Sequence, residues 1–402
     1  MFPKCLPLIF LILTIFIILY LLYISADENP LKDLYVITAI FNPASYKSRT
    51  DLYFQFEEHM RNSNINLITI ECIYGNNSEF VVTESNNTNH IQLRTNQPLW
   101  HKENLINIAI RRLPSNWKYV LWLDADIEFQ ESDWPLRVIE SFNKYDIIQV
   151  FKYVELLGPY KEILKAYVSH TFAIVEDLPI TKQYYYLFWP TPGYGWGMTR
   201  RAYEYLDGII EHGILGGGDS MMAYSLIGRY EESTNIPIKR YSKSFGKQIK
   251  QWQEKVKVFR DYKKIGYADC VIKHYFHGYE KDRQYKPREK ILVNGKFDPE
   301  NDLYTDENGL LQLKETKKKM IDLIYKYFAS RNEDIIISTP IEAPQVRTLE
   351  EILNDAQEKK KLLEHKKKKP LEHERVGQCH KEYNPYKRPS SKIWCRRTPY
   401  AY

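Results

Sequence analysis

Short apolar runs that alternate with helical patterns constrain the fold of this chain more than any other feature of its sequence. The runs LYVITAIF (34–41), NLITIECIY (66–74) and YVLWLDADIEF (119–129) have the length and the β-branched or aromatic content of buried strands. Helical periodicity lies between them, at 50–63 and 102–113. Strands that alternate with helices predict an α/β domain built on a mainly parallel sheet.

The charged residues divide the chain into a nearly neutral part and a basic end. Residues 351–402 hold 14 Lys and Arg against 7 Asp and Glu, a net of +7, so the formal charge of +6 leaves 6 − 7 = −1 for residues 1–350. Nucleic-acid binding depends on clustered Lys and Arg, so no nucleic-acid partner is expected for the folded part. We predict a domain over 31–300 and a helical, basic C-terminal extension over 301–402.

The N-terminal segment 6–24 contains no charged residue. As a helix it would be about 28 Å long, close to the roughly 30 Å thickness of a bilayer core. Lys4 precedes it and Asp27 follows it, which favours a cytoplasmic N-terminus over residues 1–5. The prediction is a single-pass type II signal-anchor, with the domain lumenal or external in a Golgi-like, ER-like or viral membrane. A signal peptide cleaved near residues 24–26 is the alternative.

Asp124 and Asp126 directly follow an apolar, strand-like run. A carboxylate pair at the end of a strand can reach one hard cation, and oxygen ligands suit Mn²⁺ or Mg²⁺. In open α/β sheets, ligands bind at that end of the strands. The alternative is a pair of surface carboxylates in a turn, and the preceding run YVLWL favours the metal site.

This element resembles the Asp-x-Asp motif of the GT-A fold nucleotide-sugar-dependent glycosyltransferases, family-2-like or galactosyltransferase-like, and the resemblance covers roughly residues 34–290. It implies a Rossmann-like GT-A fold in which Asp124 and Asp126 bind a metal that holds the donor diphosphate. The first strand of that fold ends at the nucleotide. The residues implied near the base and ribose are Thr38, Ala39, Phe41, Asn42 and Arg49, and a solvated arginine at a helix start is the alternative for the last of them.

The segment WHKENLINIAI (100–110) is similar to the family segment in which a basic residue and an asparagine open a helix before the Asp-x-Asp strand. Lys102 and Asn107 match best, and the resemblance implies that they contact the diphosphate, aided by the positive end of the helix dipole. Asn104 is a weaker candidate for the same role. A capping or core hydrogen bond is the alternative for Asn107.

The stretch PTPGYGWGMTRRAYEYL, followed by GILGGGDSMM, is similar to the acceptor side of these enzymes. The resemblance implies an acceptor site formed by Gly195, Trp196, Gly217 and Gly218, because glycine allows close approach and tryptophan offers an apolar face to a sugar ring. Asp219 would then accept the proton of the acceptor hydroxyl as a general base. Its alternative role is to cap a helix that begins at the next residue.

The stretch HYFHGYEKDRQYKPR resembles the C-terminal histidine element of the family, which returns to the metal. His274 and His277 are three residues apart on a predicted strand, so we expect them to point to opposite faces and assign only His277 to the metal. Arg283 and Lys281 are assigned to the diphosphate. A core histidine is the alternative for either imidazole.

Together these resemblances imply an inverting, metal-dependent glycosyltransferase that moves a sugar from a nucleotide-diphosphate sugar to a hydroxyl of a glycan, glycoprotein or glycolipid. No segment fixes the base or the sugar of the donor. Two alternatives stay open, a non-catalytic glycan-binding module on the same scaffold and a sugar nucleotidyltransferase. The second would be expected to carry a Gly- and Arg-rich loop after the first strand, where this sequence reads FNPASYKSR.

Overall fold

A computed structural model describes residues 14–16, 29–76, 78–180, 190–335, 337 and 348–368. The chain up to Lys360 forms one compact unit, and residues 361–402 form a second, of which 361–368 are described. Within the described ranges, no helix is both long enough and apolar enough to cross a membrane. The predicted anchor at 6–24 lies outside these ranges except for residues 14–16, so it stays a prediction.

The strands of the described chain are β1 (Leu34–Phe41), β2 (Asn66–Tyr74), β3 (His90–Thr95), β4 (Tyr119–Leu123), β5 (Ile127–Phe129), β6 (Ile147–Gln149), β7 (Tyr153–Leu157), β8 (Ile163–Val168), β9 (Gly195–Thr199), β10 (Ile265–Tyr267), β11 (Val271–His274), β12 (Leu303–Thr305) and β13 (Leu311–Leu313). The α-helices are α1 (Lys47–Asn62), α2 (Lys102–Arg111), α3 (Trp134–Lys144), α4 (His170–Val175), α5 (Arg200–Leu206), α6 (Gly218–Leu226), α7 (Lys243–Asp261), α8 (Tyr285–Asn294), α9 (Pro299–Asp302), α10 (Lys318–Ala329) and α11 (Leu349–Lys368).

The main sheet has the strand order β10-β6-β9-β4-β1-β2-β3. Its neighbouring strands are parallel except at β9, which runs antiparallel to both β4 and β6. β1 and β2 coincide with the predicted runs 34–41 and 66–74, and most of their residues are buried, as expected for strands inside an α/β sheet. The predicted mixed, mainly parallel α/β architecture is therefore confirmed.

The apolar run 119–129 forms two strands rather than one. β4 ends at Leu123 in the main sheet, and β5 begins at Ile127 in a second sheet of order β5-β11-β7-β8. In that sheet β11 runs antiparallel to β5 and parallel to β7. The chain changes sheets at residues 124–126, so the Asp-x-Asp stretch lies at the junction of the two sheets.

The packed core extends past the predicted boundary at residue 300. Leu310, Leu313, Ile324 and Phe328 are buried in the same hydrophobic cluster as Trp122 of the main sheet. The buried residues of α10 recur at the three- and four-residue spacing of an amphipathic helix, although charged side chains lie between them. A charged composition after residue 300 therefore marks a helix with one buried face, and this part of the chain belongs to the folded domain.

Candidate active site at the junction of the two sheets

Asp124 and Asp126 occupy the turn between β4 and β5. The backbone N–H of Asp124 donates to the carbonyl of Tyr194 (2.9 Å), and the N–H of Tyr275 donates to the carbonyl of Asp126 (2.8 Å). Pairing of β5 with β11 places His274 opposite Ile127. The second sheet thus brings the carboxylate of Asp126 beside the imidazole that ends β11.

Asp126, His274 and His277 form a cluster with the geometry to hold a metal ion. Oδ2 of Asp126 lies 3.0 Å from His277 Nε2 and 3.6 Å from His274 Nε2. Oδ1 of Asp126 is buried and has no hydrogen-bond partner within the described part of the chain. Burial lowers the pKa of His274, which keeps that ring in the neutral, metal-binding form.

The guanidinium of Arg283 identifies the lone pair of His277. Nη2 of Arg283 lies 2.9 Å from His277 Nε2, and a guanidinium can only donate, so Nε2 accepts and the ring hydrogen is on Nδ1. Nε2 has a single lone pair, so a cation bound between it and the nearby Oδ2 of Asp126 would take the place of the Arg283 donor. One carboxylate with two neutral imidazoles suits a transition metal such as Mn²⁺ better than Mg²⁺, which prefers oxygen ligands.

The geometry bears on two features of the predicted metal site. His274 joins His277, because β11 ends at His274 and the strand alternation that would separate the two rings no longer applies beyond it. Asp124 is not a member of the three-residue cluster, and its Oδ1 lies 2.6 Å from Lys102 Nζ instead. The two carboxylates of the motif therefore have different partners.

Lys102, the first residue of α2, links Asp124 to Asp219. Its Nζ lies 2.6 Å from Asp124 Oδ1 and 3.2 Å from Asp219 Oδ2. Burial opposes the charge, but the neighbouring carboxylates raise the pKa of Lys102 above its ordinary value, so the ammonium remains charged. Burial also raises the pKa of Asp124, to about 6, in spite of the contact with the ammonium. The structure brings together the residues predicted for the donor side and for proton transfer.

Asp219 lies in the first turn of α6, where Gly217 is the N-cap and Gly218 the first helical residue. Asp219 is therefore not the cap, and its side chain pairs with Lys102. Gly217 has a φ of +93°, which glycine adopts without strain. A Cβ at Gly218 would lie 2.3 Å from Glu103 Oε1, so the absence of a side chain lets this buried carboxyl pack against the start of the helix. Both glycines shape the loop that carries Asp219.

Three residues predicted near the nucleotide belong to β1 or follow it: Thr38 and Ala39 lie in the second half of the strand, and Asn42 comes directly after it. The hydroxyl of Thr38 is buried and donates to the carbonyl of Leu123 (3.1 Å), which ties β1 to β4. Ala39 is half-buried against the core. The side chain of Asn42 accepts from the N–H of Tyr46 (2.9 Å) and donates to its carbonyl (2.7 Å). Thr38 and Asn42 thus hold the strand end and the following turn in place, and a direct nucleotide contact stays a prediction.

Phe41 and Arg49 connect the same strand end to the C-terminal part of the domain. The ring of Phe41 packs edge-on against Trp100, with 5.1 Å between the ring centroids. Arg49 donates to the carbonyl of Phe41 (2.8 Å) and forms a bidentate pair with Glu333, at 2.5 and 2.9 Å. Its side chain is 19% exposed, so it is not a solvated arginine. Arg49 lies near the predicted donor site, but its guanidinium is already engaged.

Asn107 is corrected from a diphosphate contact to a structural residue. Its Nδ2 donates to the carbonyl of Ile209 (3.0 Å) and to Glu211 (2.8 Å). Its Oδ1 accepts from the hydroxyl of Tyr203 and from the N–H of Ile209, both at 3.1 Å. The amide of Asn107 is buried and both of its ends are satisfied within the protein. Asn107 therefore makes core hydrogen bonds, which was the alternative role considered for it from the sequence.

Gly195 and Trp196 are corrected from acceptor contacts to core residues of β9. Trp196 is 1% exposed, pairs with Trp122 across the antiparallel ladder and donates from Nε1 to the carbonyl of Pro192 (2.8 Å). A Cβ at Gly195 would lie 2.7 Å from the side chain of Leu123. Neither residue presents a face to a ligand, because the Gly-Trp-Gly stretch is a strand of the main sheet rather than a loop.

Glu103, Arg331 and Glu333 were not singled out from the sequence, yet all three are buried close to the residues above. Glu103 follows Lys102 directly, and its buried position beside Gly218 is set by a contact that helix periodicity does not show. Arg331 Nε lies 2.5 Å from Glu333 Oε1, and both follow α10 in the part of the chain predicted to be an appendage. The sequence could have indicated a role for Arg331 and Glu333 only if the packed core had been recognised beyond residue 300.

Solved structures match this chain at low sequence identity and low TM-score. No protein-family model matches the chain, and no curated protein matches it. A solved Drosophila β1,4-galactosyltransferase 7 in complex with manganese, UDP-Gal and xylobiose is 8% identical over 71% of this chain and 97% of that chain, with a TM-score of 0.32. A mannosyltransferase from Pyrobaculum calidifontis in complex with GDP-Man and Mn²⁺ is 11% identical over 74% of this chain and 73% of that chain, with a TM-score of 0.31.

A 4-diphosphocytidyl-2C-methyl-D-erythritol synthase from Anaerococcus prevotii is also similar. It is 13% identical over 57% of this chain and all of that chain, with a TM-score of 0.29.

Proposed function

We propose that this chain is a metal-dependent glycosyltransferase that moves a sugar from a nucleotide-diphosphate sugar to an acceptor hydroxyl. One observation carries the proposal: Asp126, His274 and His277 converge at the sheet junction. The Lys102 ammonium, which bridges Asp124 and Asp219, supplies the second half of a site at the end of β4. A metal centre beside a buried cation and a second carboxylate suits departure of a nucleoside diphosphate at one side and proton removal at the other.

Asp126, His274 and His277 would hold the metal, with Mn²⁺ favoured by the two imidazoles. The bound ion would supply positive charge to the diphosphate oxygens as a Lewis acid. Arg283, which contacts His277, and Lys102 add further positive charge on either side. Charges fixed in a buried site need no reorganisation during the reaction, so they stabilise charge that develops on the leaving group.

Asp219 would accept the proton of the acceptor hydroxyl. Its carboxylate is held by Lys102, and it lies in the first turn of α6 directly after Gly217 and Gly218. A single carboxylate acting on the acceptor corresponds to direct displacement with inversion at the sugar carbon. A glycan, glycoprotein or glycolipid acceptor and a type II membrane anchor at 6–24 complete the proposal as expectations from the sequence.

A screen of nucleotide sugars tests the function. We expect Mn²⁺-dependent hydrolysis of one nucleotide sugar, or transfer from it, by the unaltered protein. Asp126→Asn, which keeps the size of the side chain but removes its charge, should lower the rate at least about 100-fold, because the ion loses its anionic ligand. Asp207→Asn is the matched control, since Asp207 is exposed and asparagine tolerates its left-handed backbone.

The same screen separates the alternatives. Release of pyrophosphate from a nucleoside triphosphate and a sugar phosphate would identify a nucleotidyltransferase instead. Binding of glycans with no turnover of any donor would identify a non-catalytic module. Full activity of Asp126→Asn in the presence of Mn²⁺ would contradict the proposed metal centre.

A further inference from the structure

The segment 331–333 packs directly behind the histidine that faces Asp126. Gly278 follows His277 and has a φ of +92°. A Cβ on Gly278 would lie 3.2 Å from the carbonyl oxygen of Asn332 and 3.2 Å from the Cα of Glu333. Glycine therefore lets the backbone of Glu333 approach the turn that carries His277. This contact joins two parts of the chain that are more than fifty residues apart.

The carboxylate of Glu333 is buried, with 3% of the residue exposed. Arg49 contacts both of its oxygens, and Nε of Arg331 lies 2.5 Å from Oε1. Glu333 is thus an ionised carboxylate fixed from two sides by arginines.

The second nitrogen of His277 faces this carboxylate. Nδ1 of His277 lies 3.7 Å from Glu333 Oε2. It is buried and makes no hydrogen bond within the described part of the chain. Because Arg283 donates to Nε2, the ring hydrogen is on Nδ1, directed towards an anion that is within about one ångström of hydrogen-bond range.

We propose that Glu333 is a positioning residue for the metal centre. Its carboxylate holds the hydrogen on Nδ1 of His277, and so keeps Nε2 as the nitrogen that would bind the ion beside Asp126. A carboxylate behind a metal-binding histidine fixes the tautomer and the orientation of the ring and raises the basicity of the ligand nitrogen. This inference rests on the metal centre of the proposed function. It gives the region after residue 300 a role in that centre.

Glu333 also connects the metal centre to the start of α1. Arg49, which holds Glu333, donates to the carbonyl of Phe41 at the end of β1. The N–H groups of Lys47 and Ser48 donate to Asp334, each at 2.8 Å. The position of Glu333 is therefore fixed by the same strand end and helix start that border the predicted nucleotide site.

Titration of Mn²⁺ into the full chain, followed by calorimetry, tests the proposal. Loss of an outer carboxylate behind a metal-bound histidine lowers affinity by about 10- to 100-fold. We expect the Kd of Glu333→Gln to rise by that factor, because the neutral amide holds the Nδ1 hydrogen less strongly. Asp302→Asn is the matched control: Asp302 is also buried and paired, with Lys317 at 2.8 Å, and its Kd should stay within about twofold of the unaltered protein.

A double-mutant cycle separates positioning from a general structural effect. If Glu333 acts through the imidazole, Glu333→Gln should change the Mn²⁺ affinity little once His277→Ala has removed the ring. A merely structural role would lower the affinity equally in both backgrounds. The tautomer gives a second measurement: ¹⁵N NMR should show His277 with its hydrogen on Nδ1 in the unaltered protein and a mixture of tautomers in Glu333→Gln.

Each result decides one proposal. An unchanged Kd for folded Glu333→Gln overturns the positioning role and leaves the metal centre intact, whereas absence of Mn²⁺ binding by the unaltered protein overturns both. If Glu333→Gln does not fold, Glu333→Asp replaces it, because aspartate keeps a charge for Arg49 and Arg331 but shortens the reach to His277. An unchanged Kd in that variant likewise overturns the positioning role.

Discussion

Glu103 places a carboxyl group beneath the loop that carries Asp219. Its side chain is buried, and Oε2 has no hydrogen-bond partner within the described part of the chain. Burial, together with the charge of Asp219, raises the pKa of Glu103 to about 8. The native protein therefore retains a proton at pH values where the unfolded chain has already lost it. The helix start beside Gly218 is then packed against a neutral acid at neutral pH.

Stability should consequently fall as the pH rises towards 8. A carboxyl group whose pKa is higher in the folded protein than in the unfolded chain stabilises the fold at pH values below its unfolded pKa, near 4.3. That stabilisation is lost as the pH rises through the pKa of the folded state. Glu103→Gln removes this titration, so we expect the unfolding free energy of the unaltered protein to decline relative to the variant by roughly 1.4 kcal/mol per pH unit between about pH 5 and 8. Urea denaturation across that range measures it, with exposed Glu307→Gln as control. Parallel curves for the unaltered protein and Glu103→Gln would refute the assignment.

Helix α2 combines two functions along its length. Lys102 and Glu103 begin the helix at the candidate active site, whereas Asn104 and Asn107 bind the scaffold. Asn104 accepts from the N–H of Leu311 at 3.0 Å, so β13 is bound to this helix as well. The helix is almost wholly buried, which explains why its asparagines are satisfied inside the protein.

Because Asn107 binds the scaffold, its substitution should lower the stability of the protein without weakening Mn²⁺ binding. Asn107→Ala removes four buried hydrogen bonds and leaves their partners unsatisfied, so we expect a loss of about 3 kcal/mol in unfolding free energy. The Mn²⁺ affinity of the folded fraction should remain within about twofold. Asn116→Ala, at an exposed asparagine, should cost less than about 0.5 kcal/mol. A variant with normal stability and weakened donor binding would restore the original interpretation of Asn107.

The elements differ in how far the sequence predicts them. β1 and β2 were predictable because continuous burial leaves a continuous apolar run. The position of Asp126 at a strand end was also predictable, since the apolar run stops there. The participation of His274 was not, because the end of β11 is set by pairing with β5 and β7 rather than by its own residues. Trp196 was misjudged because a glycine-rich strand has the composition of a loop.

Long-range pairing limits what the sequence shows about the whole domain. Arg49 and Glu333 are 284 positions apart, and no local periodicity records their contact. Charged residues lie between the buried positions of α10, so the average composition of this segment does not show that one face of the helix is apolar. The packed core continues past residue 300, where the domain was predicted to end.

Truncation tests where the folded domain ends. A chain that stops at residue 300 loses six buried core side chains: Leu310, Leu313, Met320, Ile324, Tyr327 and Phe328. At roughly 1.5–3 kcal/mol for each large apolar side chain, this loss is comparable to the whole stability of a typical domain, about 5–15 kcal/mol. We expect this chain to lack a cooperative thermal transition and to bind no Mn²⁺, whereas a chain that stops at Lys360 should retain both, because residues up to Lys360 form one compact unit. A cooperative, metal-binding protein ending at residue 300 would show that the later segment is an appendage after all.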